Sequence, residues 1–437
     1  MEWWLILTVI FVSLMAAMAT GIPVAFAFMI LNIVGLYIVT GGTVGFALLP
    51  GAIYTSVASF PLLALPMFFL LGEILYHSGV FGMVMDVTDK WIGGVRARLL
   101  FVALGAGTIL AALSGAGMAD TALLGSTIFP EVEKRGYDRR LSLGVITSAG
   151  LLAVLIPPSG LAVLLGSLAE VSISGLLIGG IGPGLLMVFF YFWYIIIRVR
   201  MNPNLAPAYD QASPSFPEKV KATVVLAPLL LIIVGVVGFI IFGIATPSEA
   251  AATGALIAIL VTIIYRRLTW DVLKKSFLGV VKIVGMVLLI ISGAVSFGQL
   301  LAMTGAAREF MEFLTGLPVH PTIILIAIQM AVLLLGFFID GISIMMITIP
   351  VLVPVVNGFG WDPIWFWILF LVNMTIGSES PPFGLALFAL KGVVPSYVTM
   401  GDIYRAQIPF VIMDMGVVAV IIFIPGIATY LPSLIQT

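Results

Sequence analysis

Apolar runs recur from end to end of this chain, broken by short polar or proline-bearing stretches. Most of them reach the roughly twenty residues that a helix needs to cross the hydrocarbon layer. Leu5 to Ala19 and Pro23 to Val39 read as two such helices, parted by Thr20-Gly21-Ile22. Ala52 to Tyr76 is cut at Ser59-Phe60-Pro61 and again at Pro66, leaving pieces too short to span. That pattern predicts a re-entrant hairpin turning at Ser59, with one kinked crossing as the alternative. Val80 to Trp91 reads as an interfacial arm. Leu99 to Ile128 reads as a crossing that opens at Ser114-Gly115-Ala116-Gly117, close to Asp120 and Thr121. Leu141 to Leu168 carries the pair Pro157-Pro158, and Ile173 to Ile197 closes the series.

Residues 202–219 are polar and proline-bearing, and divide the chain into halves 1–201 and 220–437. In the second half, Val281 to Leu314 reads as another hairpin, with Ser292, Gly293, Ser296 and Gln299 about its turn. Pro321 to Val355 opens between Gly336 and Ser343, around Asp340. Ile364 to Leu390 breaks at Gly377-Ser378-Glu379-Ser380-Pro381-Pro382-Phe383-Gly384. Proline removes the i to i−4 hydrogen bond and clashes with the preceding turn, so a paired proline interrupts a membrane helix. Ile408 to Ile424 ends the half, with Asp414 read as a packing or bridging residue.

The halves match in order. Pro23 and Pro247 lie 224 residues apart, and so do the two proline pairs. Asp120 with Pro130 answers Asp340 with Pro350 at 220, and Ser59-Phe60-Pro61 answers Ser296-Phe297-Gly298 at 237. Duplication accounts for the set better than coincidence. Each half then holds five crossings, and an odd number inverts the second half against the first. The fold class is an all-α polytopic membrane protein built of inverted repeats, with two re-entrant hairpins and discontinuous helices.

Composition agrees: the 437 residues are 62% hydrophobic and 9% charged, with a mean hydropathy of +1.25. A soluble chain carries far more polar surface. Cysteine is absent, which excludes thiolate chemistry, and the only histidines are His77 and His320. Net charge is −1 without a dense basic block, so no nucleic-acid partner is expected. The start, Met1-Glu2-Trp3-Trp4, lacks a basic region and reads as an anchored first helix. Short-loop lysines and arginines from Lys134 to Lys275 fall on one face, taken as cytoplasmic, so the first helix starts outside. Lys90, Arg96 and Arg98 fall on the other face in this count, against the rule.

The chemistry concentrates at the breaks. Interrupted helices expose carbonyls that bind ions in many secondary transporters. Carbonyls freed near Gly115, Pro157, Gly336 and Gly377 combine with Ser114, Thr121, Ser292, Gly293, Ser378 and Ser380 as candidate sodium ligands. Asp120 and Asp340 ligate or neutralise. Ser59, Asp120, Ser296, Gln299, Asp340 and Glu379 are the candidate substrate contacts. Glu379 can bind sodium, carry a proton, pair with a cationic substrate group, or face a polar cavity. A channel would need a continuous pore lining. An enzyme would need a nucleophile–base pair or a metal cluster, and neither pattern is present.

These motifs resemble the large membrane subunit of the tripartite ATP-independent periplasmic (TRAP) transporters. The likeness runs through Thr20-Gly21-Ile22-Pro23, Ser59 to Pro66, Leu113 to Asp120, Arg135-Gly136-Tyr137-Asp138, Ile156-Pro157-Pro158-Ser159, Thr246-Pro247-Ser248-Glu249 and Pro381-Pro382-Phe383-Gly384. It implies an inner-membrane, elevator-type secondary transporter. Such a transporter takes up organic acids with sodium and without ATP or another cofactor. Its partners would be a small four-helix membrane subunit and a periplasmic substrate-binding protein. Proton coupling, or transport without a binding protein, is the alternative. Two departures stand out. Ser378-Glu379-Ser380 replaces the usual glycine, apolar residue and threonine, and Ser343 stands where the family has proline.

Overall fold

The computed structural model describes residues 2–207 and 214–435, and these form helices and turns only. Part of the connector expected at 202–219, residues 208–213, lies outside the described residues. Helices α1 (Trp3–Ala19) and α2 (Val24–Thr40) precede α3 (Leu48–Val57), α4 (Ala64–His77) and the arm α5 (Phe81–Ile92). Then come α6 (Arg98–Ser114), α7 (Gly117–Lys134), α8 (Arg139–Leu151), α9 (Gly160–Leu168), α10 (Ile173–Gly179) and α11 (Ile181–Met201). The second half runs α12 (Phe216–Ile241), α13 (Pro247–Ile264), α14 (Trp270–Thr304), α15 (Ala306–Thr315) and α16 (Pro321–Gly336). It ends with α17 (Gly341–Phe359), α18 (Pro363–Glu379), α19 (Leu385–Lys391) and α20 (Met400–Phe423). Among the described residues, seven helical stretches are long and apolar enough to cross a membrane.

Local signals set many of these starts. Thr246 and Glu249 form a capping box on α13, as do Thr399 and Asp402 on α20. Asp138 caps α8 by accepting from Leu141 N at 2.8 Å, and Asp362 caps α18 by accepting from Trp365 N at 2.9 Å. These caps are 224 residues apart, the spacing of the proline pairs that follow the same two helices. Both pairs, Pro157-Pro158 and Pro381-Pro382, are joined by cis peptide bonds.

Two expected hairpins are not where the sequence reading put them. Along α14, Gly279 lies against Glu73 and Ser292 Oγ is 3.4 Å from Ser56 Oγ, and just before the helix Arg267 donates to Gly79 O at 2.9 Å. Residues 56, 73 and 79 therefore descend steadily past 292, 279 and 267. Helices α3 and α4 make one kinked crossing antiparallel to α14, the alternative reading of that segment. Pro61 bends the path without turning it back. Nor does the chain turn at Ser292 to Gln299, because α14 is continuous for 35 residues, about 52 Å. It ends at Gly305, which adopts φ +71 before α15.

The true hairpins are the segments expected to cross. Leu99 N, at the start of α6, donates to Tyr137 Oη at 3.5 Å, just past the end of α7. The two legs thus enter and leave together, with Ser114-Gly115-Ala116 at the tip. In the second half, Gln329 and Gly336 of α16 lie beside Asn373 and Gly377 of α18, so these two helices are parallel. Gly341 of α17 lies beside Met374, and a short turn joins the far end of α17 to α18. Helix α17 therefore runs antiparallel to both, and α16–α17 is a hairpin with its tip at 337–340.

This reassignment removes the conflict over charge. Lys219 Nζ donates to Trp91 O at 3.4 Å, Asp138 N to Leu205 O at 2.8 Å, and Arg267 to Gly79 O at 2.9 Å. The Tyr397 hydroxyl donates to Glu133, and the Arg139 guanidinium sits 5.3 Å above its ring. The bond to Glu133 pushes the Tyr397 phenol pKa up, with slight burial and the carboxylate's charge adding to it. These contacts gather residues 79–98, 134–140, 198–205, 216–221, 265–275 and 397 at one basic end. Lys90, Arg96 and Arg98 share it with the others. Trp3 packs on Phe310 and Phe313 of α15 at the opposite end. Hairpin α6–α7 enters from the basic end, and hairpin α16–α17 from the opposite one, where Gly358 meets Met311 of α15.

Candidate functional site

Each hairpin tip closes on a proline-pair break. Helix α6 stops because Gly115 turns left-handed at φ +63, a conformation that glycine adopts without the penalty of a Cβ. A Cβ at Gly115 would lie 2.4 Å from the Pro158 carbonyl oxygen, so tip and break touch backbone to backbone. Ser114 Oγ donates to Asp120 Oδ2 at 2.5 Å and accepts from Ala116 N at 3.1 Å. Thr121 Oγ1 donates to Thr147 O at 3.3 Å, and Gly150 lets α8 press against it. Asp120 is fully buried, and its Oδ1 has no hydrogen-bond partner among the described residues. A buried carboxylate oxygen without a partner is costly unless a cation or donor meets it. Ser114, Gly115, Asp120 and Thr121 thus stand at one tip, beside the Pro157-Pro158 break.

The second tip is built alike, with one difference. Gly336 and Gly377 meet backbone to backbone, since a Cβ on Gly377 would lie 2.9 Å from Gly336 Cα. Gly336, Asp340, Gly377, Ser378 and Phe383 line a small pocket there, with Phe338 and Phe383 exposed at 6.2 Å between ring centroids. Ser378 Oγ donates to Met374 O at 2.8 Å, while the buried Ser380 Oγ has no partner among the described residues. Asp340 caps α17. Its Oδ1 accepts from Ser343 N at 3.0 Å and its Oδ2 from the Ser343 hydroxyl. A proline at 343 could supply neither bond, so this departure from the family pattern engages both oxygens of Asp340.

Glu379 turns elsewhere. It is fully buried, and its Oε2 accepts from Ser148 Oγ at 2.8 Å and Gln407 Nε2 at 2.5 Å. On the same helix as Gln407, Asp414 accepts from Tyr191 Oη at 2.6 Å. This polar network joins α8, α11, α18 and α20 behind the break. Asp414 has the bridging role read for it. Ser148, Gln407 and Tyr191 escaped notice, although Gln407 and Asp414 stand seven residues apart on one helix, hence on one face.

The remaining candidates are at neither tip. Ser292 and Ser296 donate back to Leu288 O and Ser292 O, both at 2.8 Å, within the intact α14. The Gly293 carbonyl accepts from Asn32 Nδ2 at 2.8 Å. Carbonyls within a continuous helix are committed to its own ladder, so the break that made Ser292 and Gly293 candidate ligands does not exist. Gln299 is exposed. Ser59 lines a groove with Gly166, Ser172 and Thr246, away from the basic end. Among the described residues, no three His, Cys, Asp or Glu side chains gather as a metal cluster.

Residues 11–427 match the family model described as the tripartite ATP-independent periplasmic transporter, DctM component. A TRAP transporter large permease protein of Haemophilus influenzae is 33% identical over 84% of this chain and 90% of its own length. The 2,3-diketo-L-gulonate TRAP transporter large permease protein YiaN of Escherichia coli is 29% identical, covering 95% and 96%. The C4-dicarboxylate TRAP transporter large permease protein DctM of Rhodobacter capsulatus is 29% identical over 98% and 99%. In fold, the chain is similar to the YdaH transporter of Alcanivorax borkumensis, with a TM-score of 0.68 at 15% identity over 92% of this chain and 97% of that one. MtrF of Neisseria gonorrhoeae, titled among antimetabolite efflux pumps, gives 0.59 at 15% identity over 88% and 86%.

Proposed function

This chain belongs to the DctM, or large permease, component of the TRAP transporters, a multi-pass inner-membrane transport protein and not an enzyme, and we propose that it couples uptake of an organic acid to sodium entry. The observation that carries the reading is the buried, unpartnered Asp120 Oδ1 at a hairpin tip closed on a broken helix. Sodium is a hard cation that takes oxygen ligands, by analogy with calcium and magnesium. In the first half Ser114, Thr121, Asp120 and carbonyls at Gly115 and Pro157 would hold one ion as co-substrate. In the second half Ser378, Ser380 and carbonyls at Gly336 and Gly377 would hold another, with Asp340 nearby.

The substrate would sit between the tips, near Asp340 and the pocket at Phe383. An organic acid is the class named for several relatives, among them 2,3-diketo-L-gulonate and C4-dicarboxylates. Glu379 would brace the break from behind, since its bonds lie toward Ser148 and Gln407. We read 1–201 and 220–437 as inverted repeats whose tips meet near mid-membrane, supported by hairpins that enter from opposite ends. The basic end would face the cytoplasm, with the N-terminus periplasmic. A loaded periplasmic binding protein would deliver substrate to a complex of this chain and a small four-helix subunit. Sodium closes the tips, and the block carrying them then moves the site inward as an elevator. Movement needs unequal affinity for the outward and inward states, because equal affinity shifts no population.

The test is uptake into proteoliposomes holding the membrane complex, with binding protein added outside and sodium and proton gradients imposed separately. Uptake driven by sodium and abolished without the binding protein is expected. Uptake that follows the proton gradient and ignores sodium overturns the coupling, and uptake without the binding protein overturns the tripartite delivery.

A further inference from the structure

At the basic end, a groove of about 660 Å³ separates the α5–α6 linker from the C-terminal half of α11. Its walls are apolar. Phe192 and Ile196 face it one helical turn apart, against Val95 and Phe101, and the Phe101 and Phe192 rings are 5.2 Å apart. One further turn along α11 stands Arg200, and Arg96 lies across from it on the linker. Positions 192, 196 and 200 therefore form one stripe that passes from apolar to cationic toward the basic end.

Both arginines are exposed, and neither makes a hydrogen bond or ion pair among the described residues. Nearby Arg98 is different. It is buried and engages Asp89, with Nε 2.5 Å from Oδ1. Two uncompensated guanidinium groups over one apolar groove repel each other until an anion joins them, and their planar forks suit phosphate oxygens. Trp91, one residue before the lining Ile92, is exposed, as aromatic side chains are at a membrane interface.

We propose that this groove is a binding site for an anionic phospholipid, its phosphate held by Arg96 and Arg200 and one acyl chain lying along Phe192 and Ile196. The order of the stripe matches the order of the lipid from headgroup to tail. A free phosphate would use the two arginines but leave the walls uncovered, so the lipid is the occupant chosen. A bound lipid would tie the linker that starts hairpin α6–α7 to α11, which carries Tyr191 of the network behind the break.

The test is native mass spectrometry and thermal unfolding of the purified membrane complex. It is supplied in turn with phosphatidylglycerol, phosphatidylcholine of equal chain length, and inorganic phosphate. Phosphatidylglycerol should be retained and should raise the unfolding temperature, while phosphatidylcholine and phosphate do neither. The double variant R96Q/R200Q should lose that preference by on the order of tenfold, and Ile196→Trp should block retention with both arginines present. Arg308→Gln, at the opposite end, should change nothing. Equal retention of the two lipids by the unaltered complex overturns the proposal. So does a preference that survives R96Q/R200Q, a groove that Ile196→Trp fails to block, or equal stabilisation by phosphate alone.

Discussion

Gly115→Ala tests whether tip and break must touch. At φ +63 an alanine pays the left-handed penalty, about 1 kcal/mol. Its Cβ would also arrive 2.4 Å from the Pro158 carbonyl oxygen. That is roughly 1 Å inside ordinary contact, and a backbone atom cannot swing aside as a side chain can. Overpacking of this kind costs at least about 1 kcal/mol more. Together about 2 kcal/mol would fall on the closed tip alone, which corresponds to a roughly thirtyfold loss of its population. The assay is the sodium dependence of uptake in proteoliposomes, with half-saturation expected to rise by about that factor. Gly136→Ala is the matched control: its φ is +75 but nothing lies within 4 Å of the added carbon. It should cost some stability and leave sodium dependence alone. Equal sodium dependence in Gly115→Ala and the unaltered chain would refute the idea that this contact gates the ion.

Further outcomes follow from the same geometry. Ser343→Ala removes the hydroxyl bond to Asp340 and should lower stability by about 1 kcal/mol. It should also shift half-saturation for sodium, measured by thermal unfolding and uptake; an unchanged sodium response would detach Asp340 from the ion. Glu379→Ala leaves Ser148 and Gln407 without their buried acceptor and should cost on the order of 1–3 kcal/mol without altering substrate preference. A changed preference would place Glu379 in the substrate pocket after all. The chain has no cysteine, so Arg96→Cys, Lys134→Cys and Thr315→Cys report sidedness by impermeant labelling. Positions 96 and 134 should label from one side and 315 from the other. Opposite labelling of 96 and 134 would mean that α6–α7 crosses.

The polar tips were legible because their chemistry is local. Ser114, Gly115, Asp120 and the proline pairs stand out in apolar sequence, and breaks in helices expose groups that need such neighbours. Whether a segment turns back was not legible. The glycine and serines of α14 looked like a turn, yet Gly293 admits Phe28 at its Cβ position and Asn32 at its carbonyl, and glycines in membrane helices serve packing as well as opening. Conversely, α6 and α7 together had the length of one opened crossing. The contact between Leu99 and Tyr137, 38 residues apart, reveals the hairpin. The partners of Glu379 were hidden for the same reason, since Ser148 lies 231 residues away. Charge did carry a warning. Arg96 and Arg98 on the wrong face were evidence of a misplaced hairpin, and moving it brought them to the basic end.

The most direct measurement is equilibrium binding of radiolabelled sodium to the purified complex, comparing the unaltered chain with Asp120→Asn and Gly136→Ala. Saturable binding that Asp120→Asn weakens sharply and Gly136→Ala leaves intact is the predicted result. Sodium binding that is absent from the unaltered complex, or identical in Asp120→Asn, would contradict the assignment of the coupling ion to the closed hairpin tip.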